Sequence, residues 1–201
     1  MVHAGRVDVE EEVEQELWSL YKAGRVHSAA YREKQELLVA ARAARAEAHL
    51  EATRRSIQEL LAYADRTGIR LGLENRYHYL DIPLLGEMES LLSLAGDGQL
   101  GFWYDVGHAQ TLENLGFDVH EEWLRRYAAR MIGVHLHDIK GLTDHYAAGL
   151  GDVNWDMVAR HLPQDAIRTC EFRSHTSPEQ LAIALQFLAD RGCLPNSRAR
   201  S

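Results

Sequence analysis

Four apolar segments of this chain are each followed directly by a residue that can bind a metal ion. The segments cover residues 69–73, 100–104, 131–134 and 166–170, and the residues that follow them are Glu74, Asp105, His135 and Glu171. Each segment has the character of a buried β-strand, and the carboxyl ends of parallel strands meet at one edge of a sheet. Four such strand ends in series therefore predict one shared metal site at the rim of a parallel α/β barrel.

Helical segments separate most of these strands. The strands are predicted at 69–74, 100–105, 131–138 and 166–172, with a further short one at 1–4. Apolar periodicity predicts a helical region at 9–64 with a break at Gly24, and helices at 82–94, 109–130, 155–162 and 178–191. Asp81 is predicted to cap the helix at 82–94, and residues 140–154 to form a loop. Strands alternating with helices predict a parallel sheet with right-handed crossovers.

The length of the chain fits a single domain but not a whole barrel. The chain has 201 residues and a hydrophobic content of 46%. Residues 1–194 are predicted to form one domain, and the tail at 195–201 is predicted to be disordered. A complete eight-stranded barrel usually needs about 250 residues, and this sequence carries only about five strand signals. The sequence therefore predicts an incomplete barrel.

Charge and composition exclude several other classes of protein. The net charge of −8 argues against a nucleic-acid surface, because phosphate binding relies on clustered cations. The sequence contains neither an apolar run long enough to cross a membrane nor an apolar signal segment after Met1. Cys170 and Cys193 show neither zinc-type spacing nor a disulfide framework. A cytoplasmic protein with no membrane partner is predicted.

Each candidate ligand also has an ordinary structural explanation. A carboxylate at the end of a buried strand is costly unless it is paired or bound to a metal, so Glu74 is either a ligand or the partner of Arg76 or another arginine. Asp105 lies three residues before His108 across a strand-to-helix turn. Both side chains face one cavity, or Asp105 only caps the helix. Glu171 lies on an otherwise apolar strand and also needs a partner.

The residues between 135 and 145 need the same comparison. His135 and His137 lie two apart on one strand, so both side chains point to the same face, where a lone pair would be packed inside the barrel. The ordinary explanation for Asp138 is that it caps the next turn. The ordinary explanation for His145 is that it is a solvated loop residue. These explanations suit each residue singly, whereas a metal site explains the whole set. Three carboxylates with one imidazole suit Mn²⁺, Mg²⁺ or Co²⁺, and Zn²⁺ where more histidines join.

Longer motifs around these residues resemble a known family. They are Leu-Glu-Asn-Arg at 73–76, Asp-Val-Gly-His at 105–108, Val-His-Leu-His-Asp at 134–138, Gly-Leu-Gly-Asp-Val-Asn-Trp at 149–155 and the final Glu171. In this order they resemble the xylose-isomerase-like TIM-barrel superfamily, which includes sugar-phosphate isomerases and epimerases, keto-sugar 3-epimerases and endonuclease IV. The resemblance covers roughly residues 1–190 and implies an α/β fold of the (β/α)8 TIM-barrel type.

The same resemblance implies that the barrel is incomplete. The His-Ala-Gly sequence at 3–5 matches the end of the family's fourth strand, so the first three βα units have no counterpart in this chain. Such a piece leaves unpaired strand edges and exposed apolar surface. We therefore expect either an upstream coding segment or closure by association with a second copy of the chain or with a partner chain.

The epimerase branch of the superfamily implies a role for each strand-end residue. By this resemblance a divalent metal ion is bound by Glu74, Asp105, His135 and Glu171. The two glutamates also form an acid/base pair on opposite faces of a sugar, and they transfer its proton through a metal-stabilised enediolate. The resemblance further implies that His108 contacts the substrate, which is a sugar or a sugar phosphate.

Other polar residues near the motifs have less defined roles. Three cationic side chains lie beside the ligand positions: Arg76, Lys140 and Arg173. One explanation is that they hold a phosphate or the hydroxyls of a sugar, and the other is that they are ordinary surface charges. The endonuclease branch binds additional metal ions, for which the candidates here are His3, His108 and His145. The leading function is thus a metal-dependent sugar or sugar-phosphate isomerase or epimerase. The alternatives are an endonuclease-IV-like zinc phosphodiesterase acting on abasic DNA and an inactive barrel fragment.

Overall fold

The structure is a computed structural model that describes residues 1–96 and 98–194, so the predicted tail at 195–201 lies outside it. In chain order its elements are β1 (Gly5–Arg6), α1 (Glu11–Lys22), α2 (Ala29–Ala43), α3 (Ala46–Thr67), β2 (Leu71–Glu74), β3 (Asp81–Ile82), α4 (Leu85–Leu92), β4 (Leu100–Asp105), α5 (Val106–Asn114), α6 (His120–Tyr127), a 3-10 helix (Ala128–Arg130), β5 (Met131–Leu136), β6 (Asp138–Lys140), β7 (Thr143–Tyr146), α7 (Trp155–His161), β8 (Ile167–Cys170) and α8 (Pro178–Asp190). Helices separate the strands of the main sheet, as the sequence predicts.

A four-stranded parallel sheet lies at the centre of the fold. Its order is β2-β4-β5-β8, and every neighbouring pair is parallel. Val2 adds one parallel bridge to Leu73 of β2, in place of the strand predicted at 1–4. The described residues thus form part of a TIM-barrel-like α/β fold with four sheet strands and one bridging segment, which confirms the predicted fold class.

The two faces of the sheet are packed in different ways. On the outer face, the Phe102 ring lies 6.1 Å from the Trp123 ring and 5.6 Å from the Tyr127 ring, both carried by α6. On the inner face, Trp103 lies directly over Gly133, where a β-carbon would overlap the indole ring. Alternate residues of β4 therefore serve opposite faces, as the period of a strand requires. No helix within the described ranges is long and apolar enough to cross a membrane.

The predicted helix at 82–94 is wrong at its amino end. Asp81 does not cap a helix, because it belongs to β3, which pairs antiparallel with β1. Helix α4 begins at Leu85 instead, and the Glu87 carboxylate accepts a hydrogen bond from the Leu84 N–H at 2.8 Å. Pairing with a distant strand therefore prevails over the local capping signal.

The helical region at 9–64 and the loop at 140–154 are also more divided than predicted. The predicted break at Gly24 is confirmed, with a φ of 70°. A second break follows α2 at Ala44 and Arg45, where the sequence has neither glycine nor proline to mark it. The predicted loop contains β7 and the last residue of β6, and these two strands pair antiparallel around a turn at Gly141 with a φ of 58°.

Candidate metal centre

Four side chains from the carboxyl edge of the sheet meet around one nitrogen atom. Nδ1 of His135 lies 2.9 Å from Glu74 Oε1, 3.1 Å from Glu171 Oε2 and 3.4 Å from Asp105 Oδ2. In the described part of the chain, this buried nitrogen has no hydrogen bond of good geometry. One imidazole nitrogen surrounded by three carboxylate oxygens is a donor set suited to a divalent cation. The residues present therefore fit the metal ion that the sequence predicts.

The sheet explains how residues so far apart in sequence come together. Glu74 and Asp105 are the last residues of β2 and β4, and His135 on β5 is paired in register with Asp105. Glu171 directly follows β8, and its N–H donates to the Leu136 carbonyl at 3.2 Å. Because these parallel strands end at the same level, all four side chains reach one edge of the sheet.

Asp105 combines the two roles that the sequence left as alternatives. Its Oδ1 accepts a hydrogen bond from the His108 N–H at 2.8 Å, which caps helix α5. Its Oδ2 faces Nδ1 of His135. The Asp105 side chain is fully buried, so capping holds one oxygen while the other is directed at the centre.

Glu74 likewise has both an ion pair and a place in the centre. While Oε1 faces His135, Oε2 lies 2.7 Å from Arg76 Nη1 and 2.7 Å from His3 Nε2. Arg76 also faces Asp81, with 3.6 Å between Nε and Oδ2. The structure therefore places Arg76 against a candidate ligand, and its predicted contact with substrate stays a prediction. His3 lies beside the centre as well.

Sequence reasoning missed Asn75, which directly follows the candidate ligand Glu74. Its buried amide donates to the Asp105 carbonyl at 2.9 Å and accepts from the Asp105 N–H at 2.7 Å. Its own carbonyl oxygen lies 3.0 Å from His108 Nδ1, so this nitrogen is occupied by the backbone. Asn75 thus joins the end of β2 to the turn between β4 and α5. Its place inside the Leu-Glu-Asn-Arg motif was the one available signal.

The β6–β7 hairpin brings further polar residues to the edge of the centre. Nε2 of His145 lies 3.6 Å from Glu171 Oε1. Lys140 and Arg173 lie on the Tyr146 ring, at 5.0 and 4.0 Å from its centroid. His145 is therefore beside a candidate ligand, whereas the two cations are gathered around an aromatic ring of the hairpin. Their predicted contacts with substrate stay predictions.

Burial and charge act in opposite directions on the ionisable groups of the centre. Burial disfavours the charged form of His135, but the Asp105 and Glu74 carboxylates beside it raise its pKa to about 10. Burial also disfavours ionisation of Asp105, yet the histidines around it, chiefly His108 and His137, hold the pKa of that carboxyl well below its usual range. The carboxylates thus favour a positive charge at this position. Either a proton on the His135 imidazole supplies that charge, or a divalent cation beside the neutral imidazole does.

Comparison with protein families decides which family the motifs represent. A family model described as xylose isomerase-like TIM barrel matches residues 22–191. The chain belongs to this family. The match confirms the resemblance stated from the sequence motifs, and it includes the whole sheet from β2 to β8. Among curated proteins, no sequence matches that of this xylose isomerase-like chain.

Solved structures share this family fold over about 70% of the chain. A D-tagatose 3-epimerase-like protein has 23% identity and a TM-score of 0.58, over 71% of this chain and 54% of its own. A D-psicose 3-epimerase with D-tagatose, from Clostridium cellulolyticum H10, has 14% identity and a TM-score of 0.56, over 72% and 55%. The IOLI protein with a zinc atom has 18% identity and a TM-score of 0.54, over 71% and 57%. The chain thus spans just over half the length of each structure, and the likeness shows the fold.

Proposed function

We propose that this chain carries the catalytic metal centre of an isomerase or epimerase that acts on a sugar or a sugar phosphate. The observation that carries the proposal is the convergence of Glu74, Asp105 and Glu171 on Nδ1 of His135, all within 3.4 Å. Two of the similar solved structures are named as a 3-epimerase or an epimerase-like protein, and a third holds zinc. These names support the substrate class and the use of a metal.

The four donors select the class of metal ion. Three carboxylates and one imidazole suit Mn²⁺, Mg²⁺ or Co²⁺, and His3 and His145 beside the two glutamates bring the donor set nearer to that of Zn²⁺. When bound, such an ion supplies Lewis-acid polarisation of a substrate carbonyl. In this proposal all four residues hold the ion, Asp105 and His135 serve only as ligands, and the two glutamates also carry the proton transfers.

The two glutamates reach the centre from opposite ends of the sheet. Glu74 ends β2 and Glu171 follows β8, which are the first and last strands in the sheet order. In an epimerisation, the glutamate facing the C–H bond next to the carbonyl accepts the proton, and the electron pair of that bond moves toward the carbonyl oxygen. The opposite glutamate then delivers a proton to the other face of the same carbon. Either glutamate serves as base, according to which epimer is bound.

Their surroundings fit them for different parts of this exchange. The Glu74 side chain is only 1% exposed, and its Oε2 is held by Arg76 and His3. The Glu171 side chain is 45% exposed and has direct access to solvent. We therefore propose that Glu171 exchanges its proton with water more readily than Glu74 does, so that solvent deuterium enters mainly from its side.

The proposal is tested by proton exchange in heavy water. The chain, loaded with Mn²⁺, should exchange the proton next to the carbonyl of a suitable ketose or ketose phosphate, followed by proton NMR over a panel of both classes. Glu171→Gln keeps the volume and removes the base, so exchange should fall by about 10²–10⁴-fold. Glu59→Gln, on the exposed face of α3, is the matched control and should exchange like the wild type.

Two results would replace this proposal. Cleavage of abasic DNA without exchange of any sugar would favour the endonuclease-like alternative, which the net charge of −8 disfavours. Absence of both activities from a chain that binds metal would favour the inactive fragment.

The proposal extends to the cellular compartment of the protein and to its association with a second copy of the chain. Both cysteines, Cys170 and Cys193, are free, which fits the reducing cytoplasm. At one edge of the sheet, Ile167 of β8 is 60% exposed. An exposed apolar residue on an edge strand fits the expected association with a second copy of the chain. Light scattering of the purified chain tests this expectation.

A further inference from the structure

A buried histidine outside the donor set holds one of the candidate ligands. His137 has no exposed surface, and its Nε2 lies 3.0 Å from Oδ1 and 3.1 Å from Oδ2 of Asp105. A carboxylate can only accept hydrogen bonds, so Nε2 carries a hydrogen that it donates to Asp105. From the sequence alone, packing inside the barrel was the ordinary explanation for this side chain. The structure shows it bonded to a ligand instead.

The other nitrogen of the same ring fixes its tautomer. The His145 N–H donates to Nδ1 of His137 at 3.0 Å, and a backbone N–H cannot accept. The Asp138 carbonyl oxygen, which can only accept, lies farther from this nitrogen at 3.3 Å. The shorter contact requires Nδ1 to be the acceptor. His137 therefore takes the tautomer with hydrogen on Nε2, which is the one that bonds Asp105.

The space around the His137 ring is built to hold it in place. On one side is Gly107, where a β-carbon would overlap the ring. On the other side the His145 ring is stacked at 4.4 Å with an angle of 11° between the planes. His145 itself has a φ of 58°, a left-handed conformation that side chains with a β-carbon seldom adopt. Its carbonyl accepts from the Arg173 N–H at 2.9 Å, which secures the hairpin.

We infer that His137 is a positioning residue for Asp105, and that the hairpin around His145 sets the geometry of the metal centre through it. The His108 N–H holds Asp105 Oδ1, and His137 Nε2 faces both oxygens of the carboxylate, at 3.0 and 3.1 Å. Together they hold the carboxylate in the orientation that places Oδ2 3.4 Å from Nδ1 of His135. This inference rests on the proposed metal centre. Residues that orient a ligand in this way typically contribute about 10–100-fold to metal affinity.

Two substitutions of His137 separate its hydrogen bond from its packing. His137→Phe keeps a flat ring and removes the donor, while His137→Gln keeps an N–H donor on a smaller side chain. The measurement is the affinity of the 201-residue chain for Mn²⁺ and for Zn²⁺ by titration calorimetry, with circular dichroism and the Tm of the metal-free chain to monitor folding. We expect His137→Phe to bind both ions about 10–100-fold more weakly than the wild type, and His137→Gln to recover part of the loss.

His120 provides a matched control. It is also a buried histidine, 1% exposed, and it bonds the Tyr104 hydroxyl and Gln110 rather than a candidate ligand. His120→Phe should lower the Tm of the metal-free chain while leaving the affinity for either ion unchanged. A loss of affinity in both phenylalanine variants alike would trace the effect to general destabilisation and overturn the inference.

A third variant moves the ring without changing its chemistry. Gly107→Ala inserts a methyl group where the His137 ring lies, so the ring must shift away from Asp105. We expect Gly107→Ala to lose as much metal affinity as His137→Phe. If His137→Phe does not fold, the two single variants Gly107→Ala and His137→Gln carry the test. Should the wild type bind metal while these variants bind it equally well, His137 only fills space. If the wild type binds neither ion, both the proposed metal centre and this inference are overturned.

Discussion

The carboxylate of Asp138 organises the whole segment between β6 and α7, and replacing it should be among the most damaging changes outside the centre. It has no exposed surface and accepts four hydrogen bonds. Oδ1 accepts from the Ile139 and Val153 N–H groups at 3.0 and 3.1 Å. Oδ2 accepts from the Gly149 N–H at 2.8 Å and from Trp155 Nε1 at 2.9 Å.

The substitution Asp138→Asn changes one atom type and no volume. The amide keeps an acceptor for one pair of donors, but its NH₂ group faces the other pair, where donor meets donor. Hydrogen bonds to a charged group contribute about 1.5–3 kcal/mol each, so losing two costs about 3–6 kcal/mol. A domain of this kind has a free energy of unfolding of about 5–15 kcal/mol, so this is a large part of the total.

Urea unfolding measures this loss, and hydrogen exchange locates it. The amides of residues 139–155 should exchange faster in Asp138→Asn than in the wild type, because the anchor of their segment is weakened. Asp152→Asn is the matched control, since that exposed carboxylate accepts one hydrogen bond, from the Gly141 N–H at 2.8 Å. Asp152→Asn should lower the free energy of unfolding by no more than about 1.5 kcal/mol. An Asp138→Asn protein within about 1 kcal/mol of the wild type would refute the reasoning.

Other predictions concern pH and the inner face of the sheet. Burial lowers the pKa of His120 from 6.5 to about 3. Between these two pH values the unfolded chain binds a proton at His120 and the folded chain does not. The stability that neutral His120 contributes is therefore complete above pH 6.5 and is lost as the pH falls toward 3. Relative to His120→Gln, the wild type should therefore lose about 1.4 kcal/mol per pH unit between pH 6 and 4 in urea unfolding, and equal slopes for the two proteins would contradict this. Gly133→Ala places a methyl group against the Trp103 ring and should destabilise the chain by about 1–3 kcal/mol. Gly86→Ala, in α4 with no atom near the added carbon, should instead stabilise it by about 0.5–1 kcal/mol, and the same sign for both variants would count against the packing argument.

The sequence was informative wherever a local pattern decides the structure. Apolar segments that end in Glu74, Asp105, His135 and Glu171 predicted both the strands and the edge at which their ends meet. This works because the apolar pattern of a strand is set by consecutive residues, and a parallel sheet brings the carboxyl ends of its strands to one edge. The expected burial is found in β2, β4 and β5 but not in β8, where Ile167 is exposed. The break at Gly24 followed in the same way from a residue that adopts a positive φ without strain.

Contacts between distant segments were beyond the reach of such patterns. Asp81 carries a good local capping signal, yet it pairs as β3 with a strand near the amino end. Asn75 and Arg76 follow the candidate ligand Glu74 in the same motif. Only the fold shows that Asn75 hydrogen-bonds the backbone of Asp105 while Arg76 forms an ion pair with Glu74.

The sequence by itself determined which chemical groups this protein brings to the edge of its sheet, because residue type and strand period are local properties. The tertiary structure alone decided how those groups are oriented. His137 donates to Asp105 from 32 positions away, and Trp155 donates to Asp138 from 17 positions away. Each of these hydrogen bonds depends on both partners being placed by separate elements. A carboxylate at a strand end can be read from the sequence, but the atom that each of its oxygens faces is fixed only when the sheet, the hairpin and the helices have packed together.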